Sequence, residues 1–168
     1  MASPPPSAPA PVVVSAEQIR ALDLSPLGFL AMLPPSRLVE GAGLLELGLT
    51  WPRPEEDPRE LSEIAEVRLW SLRADAAHPV LPLLLERSGG TLTRHVAMLL
   101  PHSFSRNEGI RFAPDSLELW LTHRLFLLDD WSRAAGLNTR QGLGQMAAVL
   151  GFELDPEFWS ALPPPPSL

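Results

Sequence analysis

The chain has 168 residues, a net charge of −7 and no cysteine, and its thirteen lysine-or-arginine positions are all arginine. This length suits one domain with a proper core. The missing cysteine excludes disulfides, thiolate nucleophiles and cysteine ligands for zinc or iron–sulphur clusters in this chain. An acidic chain lacks the basic field on which nucleic acid binding depends, so DNA and RNA are disfavoured as main partners.

The sequence shows no targeting or anchoring pattern. No apolar run reaches the ~18 residues of a membrane span, and the start, MASPPPSAPAPVVV, has no basic region before its short apolar run. We therefore expect no secretory signal and no membrane-spanning segment, so that any membrane contact is peripheral.

Both ends are rich in proline, at residues 4–6 and 163–166. Such segments favour extended polyproline II and bury too little surface to fold alone. We predict disordered tails at residues 1–13 and 163–168 around a single domain at residues 14–162.

The first predicted elements are a short helix and a strand. Ser15 and Gln18 have the spacing of a capping box at a helix start. Leucine then alternates with polar residues or glycine over residues 44–51, which predicts a half-buried strand. The most charged segment, residues 53–66, follows, and we predict that Ser62 caps a helix running to Ala77, with a strand over residues 67–72 as the alternative.

A β-hairpin is the next prediction. Residues 80–86 and 92–100 flank the turn sequence Ser88-Gly89-Gly90. Pro101 then ends the second strand, and we expect residues 102–111 to form a connecting loop anchored by apolar side chains such as Ile110.

The last third of the chain reads as helical. Leucine recurs at helical spacing from Pro114 to Ala135, Gly136 is suited to the helix end, and Asp129 and Arg133 have i, i+4 spacing. Another capping-box pattern, Asn138 with Gln141, opens a helix that ends at Gly151. A final helical turn begins at Asp155. Strands precede helices, so we predict an α+β fold: a small antiparallel sheet of about three strands packed by helices.

Patterns typical of catalysis or metal binding are missing from the sequence. The four histidines (His78, His95, His102 and His123) have neither H-x-H nor H-x-x-x-H spacing. There is also no Gly-x-Ser-x-Gly elbow and no glycine-rich phosphate loop. We predict no metal and no cofactor, and the polar segment 102–111 remains either a structural connection or a recognition loop.

Two stretches resemble a known family. Residues 57–64 (DPRELSEI) with 66–70 (EVRLW), and residues 97–104 (AMLLPHSF) with 108–114 (EGIRFAP), are similar to the two blocks of the Chlororespiratory Reduction 6 family of cyanobacteria and chloroplasts. This resemblance covers most of residues 17–159. It implies an assembly factor, not an enzyme, that binds the ferredoxin-type iron–sulphur subunit of the photosynthetic NAD(P)H dehydrogenase-like complex before that subunit enters the hydrophilic arm. It also implies a cytoplasmic location in a cyanobacterium, equivalent to the chloroplast stroma.

We hypothesise that residues 55–66 and 102–111 together form a docking face for this protein partner, because complementary charge speeds encounter and excludes wrong partners. The candidate contact residues are Arg59, Glu60, Glu63, Glu66, His102, Phe104, Arg106, Glu108 and Arg111.

Two alternatives remain open. One is a small hydrolase or transferase that uses His102 with Glu108 or Glu60 as acid and base. The other is a structural subunit that stays in the mature complex.

Overall fold

The computed structural model describes residues 11–40, 43, 45–85 and 90–166, and helices dominate this part of the chain. The α-helices are α1 (Ala16–Arg20), α2 (Pro35–Glu40), α3 (Ala65–Ala77), α4 (Leu81–Leu84), α5 (Thr91–Leu99), α6 (Pro114–Ala134), α7 (Arg140–Val149) and α8 (Pro156–Ser160). The 3₁₀ helices are Ser25–Met32 and Leu61–Glu63. The strands are β1 (Val12–Val14), β2 (Leu47–Leu49), β3 (His102–Ser105) and β4 (Gly109–Phe112).

The predicted α+β class is confirmed, and the described strands form two separate pairs. β1 and β2 are parallel, with Val12 opposite Leu47. β3 and β4 are antiparallel, with His102 opposite Phe112. Short strands of this kind contribute little core, so the helices must bury most of the apolar surface.

The prediction of a β-hairpin over residues 80–100 is wrong. Residues 81–84 form α4, which is wholly buried, and Pro82 lies in its first turn, where its missing N–H leaves no helical bond unmade. Residues 91–99 form α5, which follows Gly90 in the left-handed conformation (φ 78°). The remainder of the predicted turn, at residues 88–89, lies outside the described residues.

The alternative strand over residues 67–72 is also wrong, because this segment lies within α3. The helix ends at Ala77, as predicted, but Ser62 does not cap it. Ser62 lies in the preceding 3₁₀ helix, and its hydroxyl instead bonds His102.

Local signals placed several helix ends correctly. The capping box of Ser15 and Gln18 is formed, α6 is followed by Gly136 at φ 76°, and the Asp155 carboxylate accepts a bond from the backbone of Glu157. The capping box predicted at Asn138 is not formed: the N-cap of α7 is Thr139.

Segments assigned to the tails contribute to the fold where they are described. Val12 lies in β1, and its N–H donates to the carbonyl of Glu46 at 2.9 Å. At the other end, the carbonyl of Pro163 accepts a bond from Arg140. Residues 1–10 and 167–168 of the predicted tails lie outside the described residues.

The core is a single apolar cluster built around α3, α4, α5, α6 and α7. Trp70 of α3 is fully buried, and its indole N–H donates to the carbonyl of Asp23 at 2.7 Å. Other fully or almost fully buried side chains come from each of the neighbouring helices, including Leu81, Leu92, Leu125, Leu143 and Met146. This cluster fixes α3 and α5, which carry the surface described next.

Asp129 of α6 lies at the centre of a buried ionic cluster, which we call the α6–α7 joint. Its carboxylate accepts bonds from Arg133 at 3.0 Å, as the spacing predicted, and from Arg140 at 2.9 Å. Arg140 also covers the ring of Trp159, with its guanidinium carbon 5.1 Å from the ring centroid, and reaches the carbonyl of Pro163. One carboxylate and one guanidinium thus connect α6, α7, α8 and the segment after α8.

Candidate protein-docking site

Residues 102–112 form a two-stranded β-hairpin, and the prediction of an irregular connecting loop is wrong. Phe104 lies opposite Ile110, and Ser105 lies opposite Gly109. The hydroxyl of Ser105 accepts the N–H of Glu108 at 3.0 Å, which closes the turn. Gly109 has φ 72°, a conformation that costs other residues energy and explains glycine at this corner. The polar side chains of this segment are therefore presented by a defined hairpin.

His102 joins the hairpin to the acidic stretch. Its Nδ1 lies 3.0 Å from the carbonyl oxygen of Leu100, and its Nε2 lies 3.1 Å from the hydroxyl of Ser62. A carbonyl oxygen only accepts, so Nδ1 carries the proton, and in the neutral ring Nε2 accepts from Ser62. The ring also contacts Phe112 edge-on, with centroids 6.1 Å apart. His102 thus has a positioning role between two segments 40 residues apart.

The two halves of the hypothesised docking face meet in one shallow, open depression. Its lining residues are Pro58, Arg59, Glu63, Phe104, Ser105 and Arg106. Four of the candidate contact residues therefore lie together, two from each segment. Glu60 lines a neighbouring small cavity with Arg94 and Ile110, while Glu66 is exposed in the first turn of α3.

Several charges of the docking face are paired with each other at the surface. Arg59 contacts Asp57 with three side-chain hydrogen bonds of 2.7 to 3.0 Å, and these, together with the Arg59 backbone N–H, lower the pKa of Asp57 to about 2. Glu63 accepts the backbone N–H of Glu60 at 2.8 Å. On the hairpin, Arg111 pairs with Glu108 at 3.0 Å. Arg106 and Glu66 are exposed and have no side-chain hydrogen bond to another described residue.

The acid–base alternative lacks its required hydrogen bond in the described residues. Glu108 pairs with Arg111, and neither Glu108 nor Glu60 bonds His102, whose two nitrogens already have the partners given above. A general base must lie within hydrogen-bond reach of its proton. The arrangement at His102 therefore gives no support to this pairing.

A second concave surface, which we call the β2–α5 cleft, was not predicted from the sequence. It has a volume of about 290 Å³ and is lined by residues 46–49, by Leu61, and by Thr91, Arg94, His95 and Met98 of α5. Here the buried His95 bonds Asp75 of α3 at 3.0 Å, and the second carboxylate oxygen of Asp75 accepts from Arg124 of α6. Leu92, His95, Val96 and Leu99 have the i, i+3, i+4, i+7 spacing of a helix face, a signal that could have placed α5 and this cleft.

Two classes of feature are not found in the described part of the chain. No helix there is long and apolar enough to cross a bilayer. Among the same residues, no cluster of three or more histidine, aspartate or glutamate side chains is arranged to hold a metal ion.

Comparison with known protein families gives a match. No solved structure matches the chain. The sequence model described as Chlororespiratory reduction 6 matches residues 14–161, nearly the whole chain. That is an assembly-factor family linked to the NAD(P)H dehydrogenase-like complex and not a known enzyme family. The protein belongs to the Chlororespiratory reduction 6 family.

Proposed function

We propose that this protein binds the ferredoxin-type iron–sulphur subunit of the photosynthetic NAD(P)H dehydrogenase-like complex before that subunit enters the hydrophilic arm. The docking face, residues 55–66 and 102–111, makes the contact. Family membership supports a role in assembly of the complex. The observation that supports this face most directly is the depression shared by Arg59, Glu63, Phe104 and Arg106.

The bond between Ser62 and His102 gives the proposed face a fixed geometry. Ser62 is buried, and the 3₁₀ helix that carries it contacts both α3 and α5. The hairpin is therefore held against the core and is not free to swing on its two ends. A preorganised surface loses less conformational entropy on binding, which favours a specific complex of modest size.

The charges of the docking face suit a contact that forms and is later released. Both signs are present at the surface, and the pair of Arg111 with Glu108 is exposed, so a partner can exchange it at little cost. Because this chain has no cysteine, it has no thiolate with which to hold an iron–sulphur cluster, and the contact is with the subunit's protein surface.

The test is capture of the purified iron–sulphur subunit by the purified protein. We choose the double variant Glu66→Arg with Arg106→Glu, because both side chains are exposed and free of side-chain bonds to other described residues. The matched control is Arg37→Glu with Glu118→Arg, which makes the same charge exchange on exposed helical positions outside the two segments of the face. We expect the first variant to weaken capture at least tenfold and the control to leave it unchanged.

Equal capture by the wild-type protein and both variants would remove the docking face from the proposal. Reversal of Glu60 with Glu63, and of Arg106 with Arg111, is a broader form of the same test. It is less clean, because Glu63 holds the backbone of Glu60 and Arg111 pairs within the hairpin.

Native fractionation separates an assembly factor from a structural subunit of the mature complex. We expect the protein to co-migrate with a partial hydrophilic arm and to be missing from the finished complex. Stoichiometric co-migration with the finished complex would show a resident subunit instead.

A further inference from the structure

A small pocket lies beside the docking face, and we call it the Arg53–Arg94 pocket. It has a volume of about 90 Å³, and its lining residues are Arg53, Glu60, Leu61, Ser62, Arg94, Met98 and Ile110. Sites for small-molecule ligands occupy roughly 300–1,000 Å³. This pocket is therefore of a size to admit one side chain and is too small for a typical cofactor.

Two exposed arginines give the pocket its positive charge. The guanidinium of Arg53 donates to the carbonyl of Arg59, which holds it next to the acidic stretch, and Arg94 lies on α5. Among the lining residues Glu60 alone has a carboxylate, which accepts the N–H of Glu63 in a capping box at the start of the 3₁₀ helix. The pocket is thus lined by two positive charges and one negative charge, in a chain whose net charge is −7.

The remaining lining of the pocket is largely apolar. Leu61 and Ile110 are half-buried and Met98 is buried, so the fold itself holds these three side chains in place. A guanidinium presents a planar fork of donors that matches a carboxylate. A short apolar stem that ends in a carboxylate fits both parts of this lining, and among protein side chains that description belongs to aspartate and glutamate.

The pocket adjoins the depression of the docking face. Ile110 lines the pocket and Phe104 lines the depression, and these two residues lie opposite each other in the hairpin. In the acidic stretch, Glu60 of the pocket and Glu63 of the depression bond each other's backbone. A partner that covers the depression is therefore also within reach of the pocket.

We propose that the Arg53–Arg94 pocket receives an aspartate or glutamate side chain of the protein partner and anchors the complex. The carboxylate lies between the two guanidinium groups, and its apolar stem packs on Leu61, Met98 and Ile110. This inference rests on the proposed function, because the acidic side chain belongs to the subunit captured by the docking face. It adds two arginines to the contact that lie outside residues 55–66 and 102–111.

The first test is the Kd for the purified iron–sulphur subunit, measured with the double variant Arg53→Gln with Arg94→Gln. The matched control is Arg73→Gln with Arg37→Gln. It also removes two exposed positive charges, and Arg73, like Arg53, donates to a backbone carbonyl. We expect the Kd to rise at least tenfold for the first variant and to stay unchanged for the control.

The second test identifies the group that enters the pocket. The chain contains no lysine, so Arg94→Lys introduces a single reactive side-chain amine. A carbodiimide then joins this amine to a carboxylate in contact with it, and mass spectrometry of the digested complex locates the new amide bond. We expect position 94 to be joined to an aspartate or glutamate of the subunit, and Arg37→Lys, the control on another exposed helical position, to give no such product.

The outcomes separate the anchor from the proposed function. If the subunit binds but its Kd is the same for the wild-type protein and for Arg53→Gln with Arg94→Gln, the anchor is overturned and the proposed function stands. A raised Kd without a cross-link at position 94 would also overturn the proposal, because the group in the pocket would not be a carboxylate. If the subunit does not bind the wild-type protein, the proposed function fails and the anchor fails with it.

Discussion

The α6–α7 joint and the docking face use the same chemistry, arginine against carboxylate, in opposite surroundings. Asp129 of the joint has 2% of its side chain exposed, whereas Glu108 of the docking face has 61% exposed. In water, an ion pair replaces good solvation by a contact of similar strength, and its net contribution is small. In the interior, a charge that has lost its partner is not solvated by water either, so the loss strongly destabilises the fold. Burial therefore decides whether a pair holds the fold together or stays available to another protein.

The largest expected effect is on the α6–α7 joint. Asp129→Ala leaves the guanidinium groups of Arg133 and Arg140 without their shared carboxylate. We expect the free energy of unfolding to fall by about 3–5 kcal/mol, as for other broken buried pairs. Urea unfolding followed by circular dichroism measures it.

The neighbouring residue provides the matched control for this substitution. Asp130 also contacts Arg133, at 3.3 Å, but 78% of its side chain is exposed. Asp130→Ala should change the free energy of unfolding by less than about 0.5 kcal/mol. Equal effects of the two substitutions would contradict the role assigned to burial.

A smaller effect is expected where Asp75 lies between two helices. Asp75→Asn keeps the shape of the side chain but removes the charge that faces Arg124 and His95. We expect a loss of about 1.5–3 kcal/mol, the range for hydrogen bonds to charged groups. Chemical unfolding measures this loss, and Glu66→Gln, which neutralises an exposed carboxylate on the same helix, is the control that isolates the contribution of burial. A similar loss of stability for both variants would argue against a stabilising role of the buried cluster.

Acid should weaken the joint in a defined direction. Burial alone would raise the pKa of Asp129, but hydrogen bonds from Arg140 and Arg133 outweigh it and hold the pKa below the usual 3.8. A lowered folded-state pKa gives stabilisation that is complete above the unfolded-state pKa and is lost as pH falls through the folded value. The difference in unfolding free energy between the wild-type protein and Asp129→Ala should therefore shrink as pH falls below about 4.

Asp57 of the docking face is the comparison for this pH series. The hydrogen bonds from Arg59 lower its pKa from the usual 3.8 to about 2. Any contribution that the ionised Asp57 makes to the free energy of unfolding is therefore lost only as the pH falls from about 3.8 to about 2. We expect the difference in unfolding free energy between the wild-type protein and Asp57→Asn to be constant above about pH 4 and to shrink only as pH falls from about 4 towards 2. An Asp129→Ala difference that grows on acidification would reverse the assigned sign.

The smallest effect on stability is expected at the hairpin of the docking face. Arg111→Ala removes the exposed pair with Glu108 and should change the free energy of unfolding by less than about 0.5 kcal/mol. The same substitution should weaken capture of the iron–sulphur subunit, more at low salt than at high salt. If Arg111→Ala lowered the stability but left capture of the subunit unchanged, Arg111 would have a structural role like that of Asp129.

Structure was predicted best where the signal in the sequence is local. The leucine spacing of α6, together with Pro114 at its start and Gly136 after its end, depends only on neighbouring residues. The pairing of Asp129 with Arg133 follows from one turn of that helix. The involvement of Arg140 could not be predicted, because it depends on how α7 packs against α6.

The wrong prediction of a strand at α5 has a non-local cause. The turn sequence Ser88-Gly89-Gly90 between two apolar runs suggested a hairpin, and a histidine at position 95 interrupts an otherwise apolar helix face. Burial of His95 is favourable because its ring bonds Asp75, which is 20 residues away on α3. For the docking face, charge and family resemblance selected the two segments, but the bond between Ser62 and His102, across 40 residues, required the folded chain.

Arg140 has a consequence for how the molecule can loosen. Its single guanidinium serves the carboxylate of Asp129, the indole of Trp159 and the carbonyl of Pro163. The segment that begins at Pro163 and the packing of α6 against α7 therefore depend on the same side chain. Release of that segment and separation of these two helices are linked events. The rate of chymotryptic cleavage after Trp159, whose ring Arg140 covers, would therefore report on the integrity of a contact lying between those helices.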